Sequence, residues 1–401
     1  MRALTDSVPG HREPASPSAP DRYKVLTAGL FSLILSLGPA RFAYTPLFPL
    51  MQQQAHLGVA AAGWLASINY LGYLSGALLA SSIDDLQLKY RLYQAGLLLA
   101  VVTTWMMGCT TSLTVWAISR YLAGLCGVAG MLLGSGLILN WLIRHDLRAE
   151  LGIHFAGVGL AIVVSAGVVM LMTRWGLDWR EQWYAFSALG VLLMLPALGW
   201  LPRPAAGALA AAKVRPDAPP SRAFLWLLIA AYFCAGVGYV ISATFIVAIV
   251  DQVADGAGHG TLAFLVIGST AAASCVLWDL VARRMGMLNT LILAAAVQVA
   301  GILVPLFMRG FAPTLWGAAL FGASVLGIVS LILTMVGRYY PARPAKVMGQ
   351  MTIAYGLAQV IAPAITGILA EHAGSYEGGL YIAAAVMLIG IALLSAAKLN
   401  S

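Results

Sequence analysis

The chain of 401 residues is 61% hydrophobic and only 9% charged, with a mean hydropathy of +0.87, against about 25% charged in an ordinary soluble domain. This excludes a water-soluble globular protein, and at about 20 residues per bilayer-spanning helix it leaves no length for a sizeable soluble domain. The net charge of +8 is carried mostly by short segments between apolar runs, which is the pattern of cytoplasmic loops and not of a nucleic-acid footprint.

Residues 1–22 are Pro/Ser-rich and polar, with no apolar run before a small-residue cleavage site. They read as a disordered cytoplasmic tail, with the first span serving as an uncleaved anchor. Apolar runs then follow at 24–50, 60–83, 90–109, 113–143, 150–172 and 182–201, and again at 223–250, 261–281, 288–308, 313–336, 345–370 and 379–397. The expected fold class is therefore an all-α membrane protein of twelve transmembrane helices. Between the sixth and seventh runs, residues 202–221 form the longest internal stretch that is neither short nor clearly spanning. It reads as a cytoplasmic linker between an N-terminal six-helix bundle, 23–201, and a C-terminal one, 222–398. Placing both termini in the cytoplasm puts almost every basic loop residue on that side, leaving Arg174, Arg180 and Arg309 outside, as the positive-inside rule requires. The expected location is the cytoplasmic (inner) membrane of a bacterium, with lipid as the surrounding partner and the chain acting as a monomer.

An acid-x-x-x-base pattern follows the second run, at Asp85 and Lys89, and recurs after the eighth, at Asp279 and Arg283. Such a repeat suggests two parallel halves with a substrate path between them. Acid–base pairs at one membrane face could clamp one conformation and release in another, so these four residues are the expected gate.

An ionisable group at mid-span costs at least about 2.5 kcal/mol on insertion scales, and so faces protein or a water-filled cavity. Arg41 and Arg120 are the clear cases, at similar expected depths on the first and fourth runs, with no Asp or Glu near mid-membrane. A carboxylate matches the planar guanidinium fork, so an anionic substrate is the expected counter-ion. Hydrogen bonds that merely fix helix packing are the plainer alternative. Arg41 lies in GPARFAYTPLFPL, where Pro39, Pro46 and Pro49 suggest an interrupted helix and Tyr44 follows within one turn. Asn69 and Tyr73 lie four apart and share a helix face, beside Tyr70. Tyr232 and Tyr239, seven apart, share a face on the seventh run, and Tyr355 and Gln359, four apart, share one on the eleventh. Gly236 and Gly238 leave room for close backbone approach beside Tyr239. His154, near the cytoplasmic start of the fifth span, has the chemistry for a coupling proton, but its place near the membrane surface favours an interfacial hydrogen bond. The sequence has no G-x-x-x-x-G-K-[ST] loop, metal-ligand cluster or nucleophile motif, so neither cofactor nor enzymatic activity is expected and energy must come from a gradient.

The segments RFAYTPLFPLM, GWLASINYLGYLSGALLA, GIHFAGVGLAI and YFCAGVGYVISATF resemble the YbfB/YjiJ branch of the major facilitator superfamily, and the resemblance covers about residues 23–397. It implies the major facilitator fold of two six-helix bundles and secondary transport by alternating access. Arg120, Gly124 and Gly127 match the superfamily's fourth-helix pattern. The cytoplasmic loop motif is degenerate at Gly76, Asp85, Lys89 and Arg91, and better kept at Asp279, Arg283, Arg284 and Gly286. The fifth helix has Gly157 and Gly159 but lacks the Gly-Pro pair of drug/proton antiporters. The expected function is transport of a small organic anion. Efflux of lipophilic cations is the alternative, and it would ordinarily want a buried carboxylate.

Overall fold

The computed structural model describes residues 19–145, 147, 152–204, 221–251, 259–308, 310–339 and 344–399. Most of the expected tail and most of the linker lie outside these residues. The described secondary structure is helical throughout. Twelve helices can be followed in chain order: α1 Asp21–Ala55, α2 Val59–Ser81, α3 Leu86–Cys109, α4 Leu113–Arg144, α5 Gly152–Arg174, α6 Trp179–Gly199, α7 Arg222–Asp251, α8 Gly260–Met285, α9 Met287–Phe307, α10 Phe311–Tyr339, α11 Pro344–Ala373 and α12 Glu377–Leu399.

Eleven of these are long and apolar enough to cross a bilayer. The exception is α2, where Asn69, Tyr70, Tyr73 and several glycines and serines dilute a 23-residue helix. Those residues serve helix–helix contact, for which small and polar side chains are suited where lipid gives no hydrophobic drive. A Cβ on Gly72 would collide with the carbonyl of Tyr121 on α4, and one on Gly124 of α4 with the carbonyl of Asn69. Two backbones therefore touch at the centre of the first six helices.

The expected break in α1 is a bulge and not an interruption. At the π-helical turn Gly38–Phe42, the Ala43 N–H donates to the Gly38 carbonyl at 2.9 Å, and α-helix resumes at Tyr44. Pro39 and Pro46 each remove one donor, and the wider turn accommodates the missing bonds without ending the helix. A second π-helical turn, Ala129–Gly134, interrupts α4. Here Gly130 presses on α1, and a Cβ on it would lie 2.8 Å from the Ser32 carbonyl. Such bulges occur often at functional sites.

Helix ends are set by ordinary capping chemistry. Asp178 and Glu181 form a reciprocal capping box at the start of α6, and the Asp85 side chain accepts from the Gln87 N–H at 2.9 Å to cap α3.

The first six and last six helices meet along α2 with α11 and along α5 with α8. They meet again where the second half of α1 reaches α7, with Thr45 Oγ1 donating to the Ala243 carbonyl at 3.3 Å. At the end of the molecule where α1 turns into α2, Phe48 packs on Phe245, and Phe245 packs on Tyr376 at 5.2 Å between ring centroids. Burial in this plug pushes the Tyr376 phenol up to about 12, so it stays neutral. That end is shut.

Candidate functional site

The π-helical turn of α1 directs Arg41 inward, where it is 9% exposed. Its guanidinium carbon lies 4.4 Å from the ring centroid of Tyr70 and 5.0 Å from that of Tyr73, both on α2. Arg120 of α4 is 3% exposed and lies 4.6 Å over the Tyr44 ring. Its Nη1 donates to the Ala40 carbonyl at 2.9 Å, and Asn69 Nδ2 donates to the Arg120 carbonyl at 2.8 Å. Arg120 thus ties the bulged turn to α4, and Asn69 ties α4 to α2. Cation–π contacts of this kind contribute about 0.5 to 2 kcal/mol each, which offsets only part of the cost of burying two guanidiniums. Both Nε atoms are buried without a hydrogen-bond partner among the described residues. No Asp or Glu is among the buried polar and charged side chains of the described residues.

Arg41 and Arg120 line one cavity of about 20 Å³, as their expected depths suggested. That volume holds a water and not a substrate. Of the other residues singled out in the sequence, Tyr44, Asn69 and Tyr239 also line it. Tyr73 reaches it only through Arg41. Tyr232 and Tyr355 stand behind Tyr239, with Tyr355 stacked on Tyr232 at 4.5 Å and on Tyr239 at 6.0 Å. Gln359, one turn beyond Tyr355, is buried but does not line the cavity. Gly236 gives the expected close approach, since a Cβ on it would lie 3.0 Å from the Tyr355 carbonyl.

Tyr70, Thr45 and Thr244 line the cavity although the sequence reading did not place them there. Pairing Asn69 with Tyr73 by their four-residue spacing passed over the three-residue spacing that puts Tyr70 and Tyr73 on the same cation.

The two acid–base pairs do not join helices in this conformation. Arg283 Nη2 and Asp279 Oδ2 are 2.8 Å apart within α8, with side chains 73% and 55% exposed, and α8 continues past both to Met285. Asp85 caps its own helix, and the Lys89 N–H donates to the Asp85 carbonyl at 3.0 Å as an ordinary helical bond. His154 differs from the interfacial position expected of it. It is fully buried, with Nε2 2.8 Å from Ser135 Oγ of α4, and Gly29 of α1 leaves it room. Gly29 lies twelve residues before Arg41 on α1, about 18 Å at a rise of 1.5 Å per residue. His154 is therefore remote from the cavity.

Comparison with known proteins accords with this architecture. A profile of the family described as the uncharacterised MFS-type transporter YbfB matches residues 33–395. The Bacillus subtilis (strain 168) protein named uncharacterized MFS-type transporter YceJ is 26% identical over 167 residues, which is 41% of this chain and 42% of that protein. The match therefore spans less than half of that relative's length. The crystal structure of a mutant of the nucleoside transporter NupG superposes with a TM-score of 0.72, covering 94% of this chain and 98% of that one at 14% identity, a likeness of fold. With the family match running from α1 into α12, the chain belongs to the YbfB family of MFS-type transporters and is a multi-pass membrane protein of the major facilitator fold.

Proposed function

We propose that the protein is a gradient-driven secondary transporter of a small organic anion, working by alternating access of its two six-helix halves. The observation that carries this reading is the pair of buried guanidiniums on one cavity with no buried carboxylate among the described residues. A carboxylate entering between Arg41 and Arg120 would accept hydrogen bonds from the unpartnered Nε atoms and offset the uncompensated positive charge. A lipophilic cation would meet two like charges, and the Tyr70 and Tyr44 faces that could attract it are already occupied by arginine. The cavity is too small for substrate in this conformation, so binding requires the halves to separate at one end.

A thermal-shift screen of the purified protein tests the substrate class, because a ligand that binds the folded state raises apparent stability by mass action. Carboxylates are expected to raise the melting temperature in a dose-dependent way. Stabilisation by lipophilic cations alone would overturn the reading.

The shut end carrying Phe48, Phe245 and Tyr376 is taken as the outer one, with both termini, the α2–α3 turn and the linker in the cytoplasm. Cysteine placed at exposed Ser82 is then expected to resist an impermeant maleimide in intact cells and to react in inverted vesicles. Labelling in intact cells would reverse the topology.

Asp279, Arg283, Asp85 and Lys89 are assigned to the gate of the opposite, cytoplasmically closed conformation. As an exposed i,i+4 pair, Asp279 and Arg283 contribute about 0.5 kcal/mol or less here. Asp279→Lys is therefore expected to leave melting temperature and ligand affinity close to wild type while slowing transport several-fold. If ligand affinity fell with transport, the residue would belong to the binding step instead.

A further inference from the structure

We infer that the transported anion carries a planar aromatic group, held by a tyrosine stack on the second half while its carboxylate sits on the arginines of the first. This rests on the anion reading and narrows it. The division of labour follows from how the guanidiniums are used. Tyrosine rings cover the faces of Arg41 and Arg120, but the N–H donors of a guanidinium lie in its plane, and both Nε atoms remain buried without partners among the described residues. A carboxylate approaches in that plane, so it can bind without displacing the rings.

The opposite wall is built differently. Tyr232, Tyr355 and Tyr239, from α7 and α11, form a ladder of nearly parallel rings, with interplanar angles of 28° and 21°. The ladder ends at Tyr239, which lines the cavity together with Arg41 and Tyr70. Tyr239, where the ladder meets the cavity, is the aromatic surface offered to whatever enters beside Arg41. When the halves separate, this surface leaves with α7 and α11 while the guanidiniums stay with α1 and α4. A ligand with an acidic end and an aromatic end would then span the two moving bodies, giving its binding energy a direct bearing on which conformation is populated.

The test uses purified full-length protein and matched probes: benzoate and 2-naphthoate, their saturated counterparts cyclohexanecarboxylate and decahydro-2-naphthoate, and the neutral benzamide and 2-naphthamide. At least one aromatic acid is expected to bind about threefold to tenfold more tightly than its saturated partner, the range of an aromatic contact beyond its buried area. The matching amide is expected to bind at least about tenfold more weakly than the acid. Tyr239→Leu is expected to bring the aromatic and saturated acids within about twofold of each other. Saturated acids that bind as well as the aromatic ones, with both ahead of the amides, would overturn the aromatic assignment and leave the anion reading standing. Amides that bind as well as the acids would overturn the anion reading, and failure of every acid to bind at millimolar concentration would overturn both. The wild-type comparison decides the matter even if the Tyr239 variant does not fold.

Discussion

Arg41→Ala is expected to weaken binding of the anionic substrate by at least about thirtyfold, because losing one partner of a desolvated charged pair costs about 2 to 5 kcal/mol and 1.4 kcal/mol is tenfold in affinity. Arg41→Lys is expected to fall between wild type and alanine. It keeps the charge but loses both the in-plane fork and the flat surface that lies over Tyr70 and Tyr73, and an ammonium replaces neither. The two arginines separate by their effect on stability. Arg120 donates to the Ala40 carbonyl within the bulged turn, so Arg120→Ala is expected to lower the melting temperature as well as affinity. Among the described residues, no hydrogen bond from Arg41 to another helix's backbone accompanies its ring contacts, so its removal is expected to act mainly on binding. Isothermal titration with the best ligand of the thermal-shift screen, beside a melting curve for each variant, checks this. A folded Arg41→Ala protein that binds within about threefold of wild type would make Arg41 structural and leave the anion reading on Arg120 alone.

The architecture was legible because burial in lipid forces each span to declare itself as a long apolar run. Even α2, too polar for a hydropathy criterion, was recognisable between its neighbours. The two cavity arginines were legible for the same reason, since charge in an apolar run has few tolerable locations. What lay between helices was less readable. The prolines around Arg41 announced missing hydrogen bonds but not whether the helix would break or widen, and the π-helical turn at Gly38–Phe42 depends on packing against α5 and α4 that one segment does not encode. Nothing comparable announced the turn at Ala129–Gly134. The acid-x-x-x-base repeat is ambiguous in another way. Four residues is the helix's own repeat, so Asp279 and Arg283 pair along α8 once that helix runs beyond residue 281 to Met285. His154 was misplaced because its distance along the chain from the membrane surface says little about depth within the bundle, where Ser135 and Gly29 enclose it.

Gly63→Leu is expected to abolish most transport without touching the cavity, by acting on the crossing that shuts one end. A Cβ on Gly63 of α2 would lie 2.5 Å from the Pro363 carbonyl oxygen and 3.1 Å from the Gly367 Cα of α11, and one on Gly367 would lie 3.1 Å from the Val59 carbonyl oxygen. These are backbone atoms, which cannot swing aside as a flexible side chain does. Overpacking of this kind costs about 1 to 3 kcal/mol or more. Because α2 and α11 belong to different halves, the cost falls on the conformation in which they touch and is relieved when they part. The ratio of open to shut populations at this end is then expected to rise about 5-fold to 150-fold. The adjacent Gly58, whose Cβ would lie 3.6 Å from a Glu371 carboxylate oxygen, provides a reporter. A Gly58→Cys/Glu371→Cys pair is expected to be bridged readily by a short bifunctional thiol reagent in the otherwise unaltered protein and poorly with Gly63→Leu added. Gly167→Leu, at a site where a Cβ meets nothing within 4 Å, is expected to leave both cross-linking and transport near wild type. Unchanged cross-linking in the Gly63 variant would mean that the α2–α11 crossing yields without opening, and the gate at this end would then have to lie in the aromatic plug of Phe48, Phe245 and Tyr376.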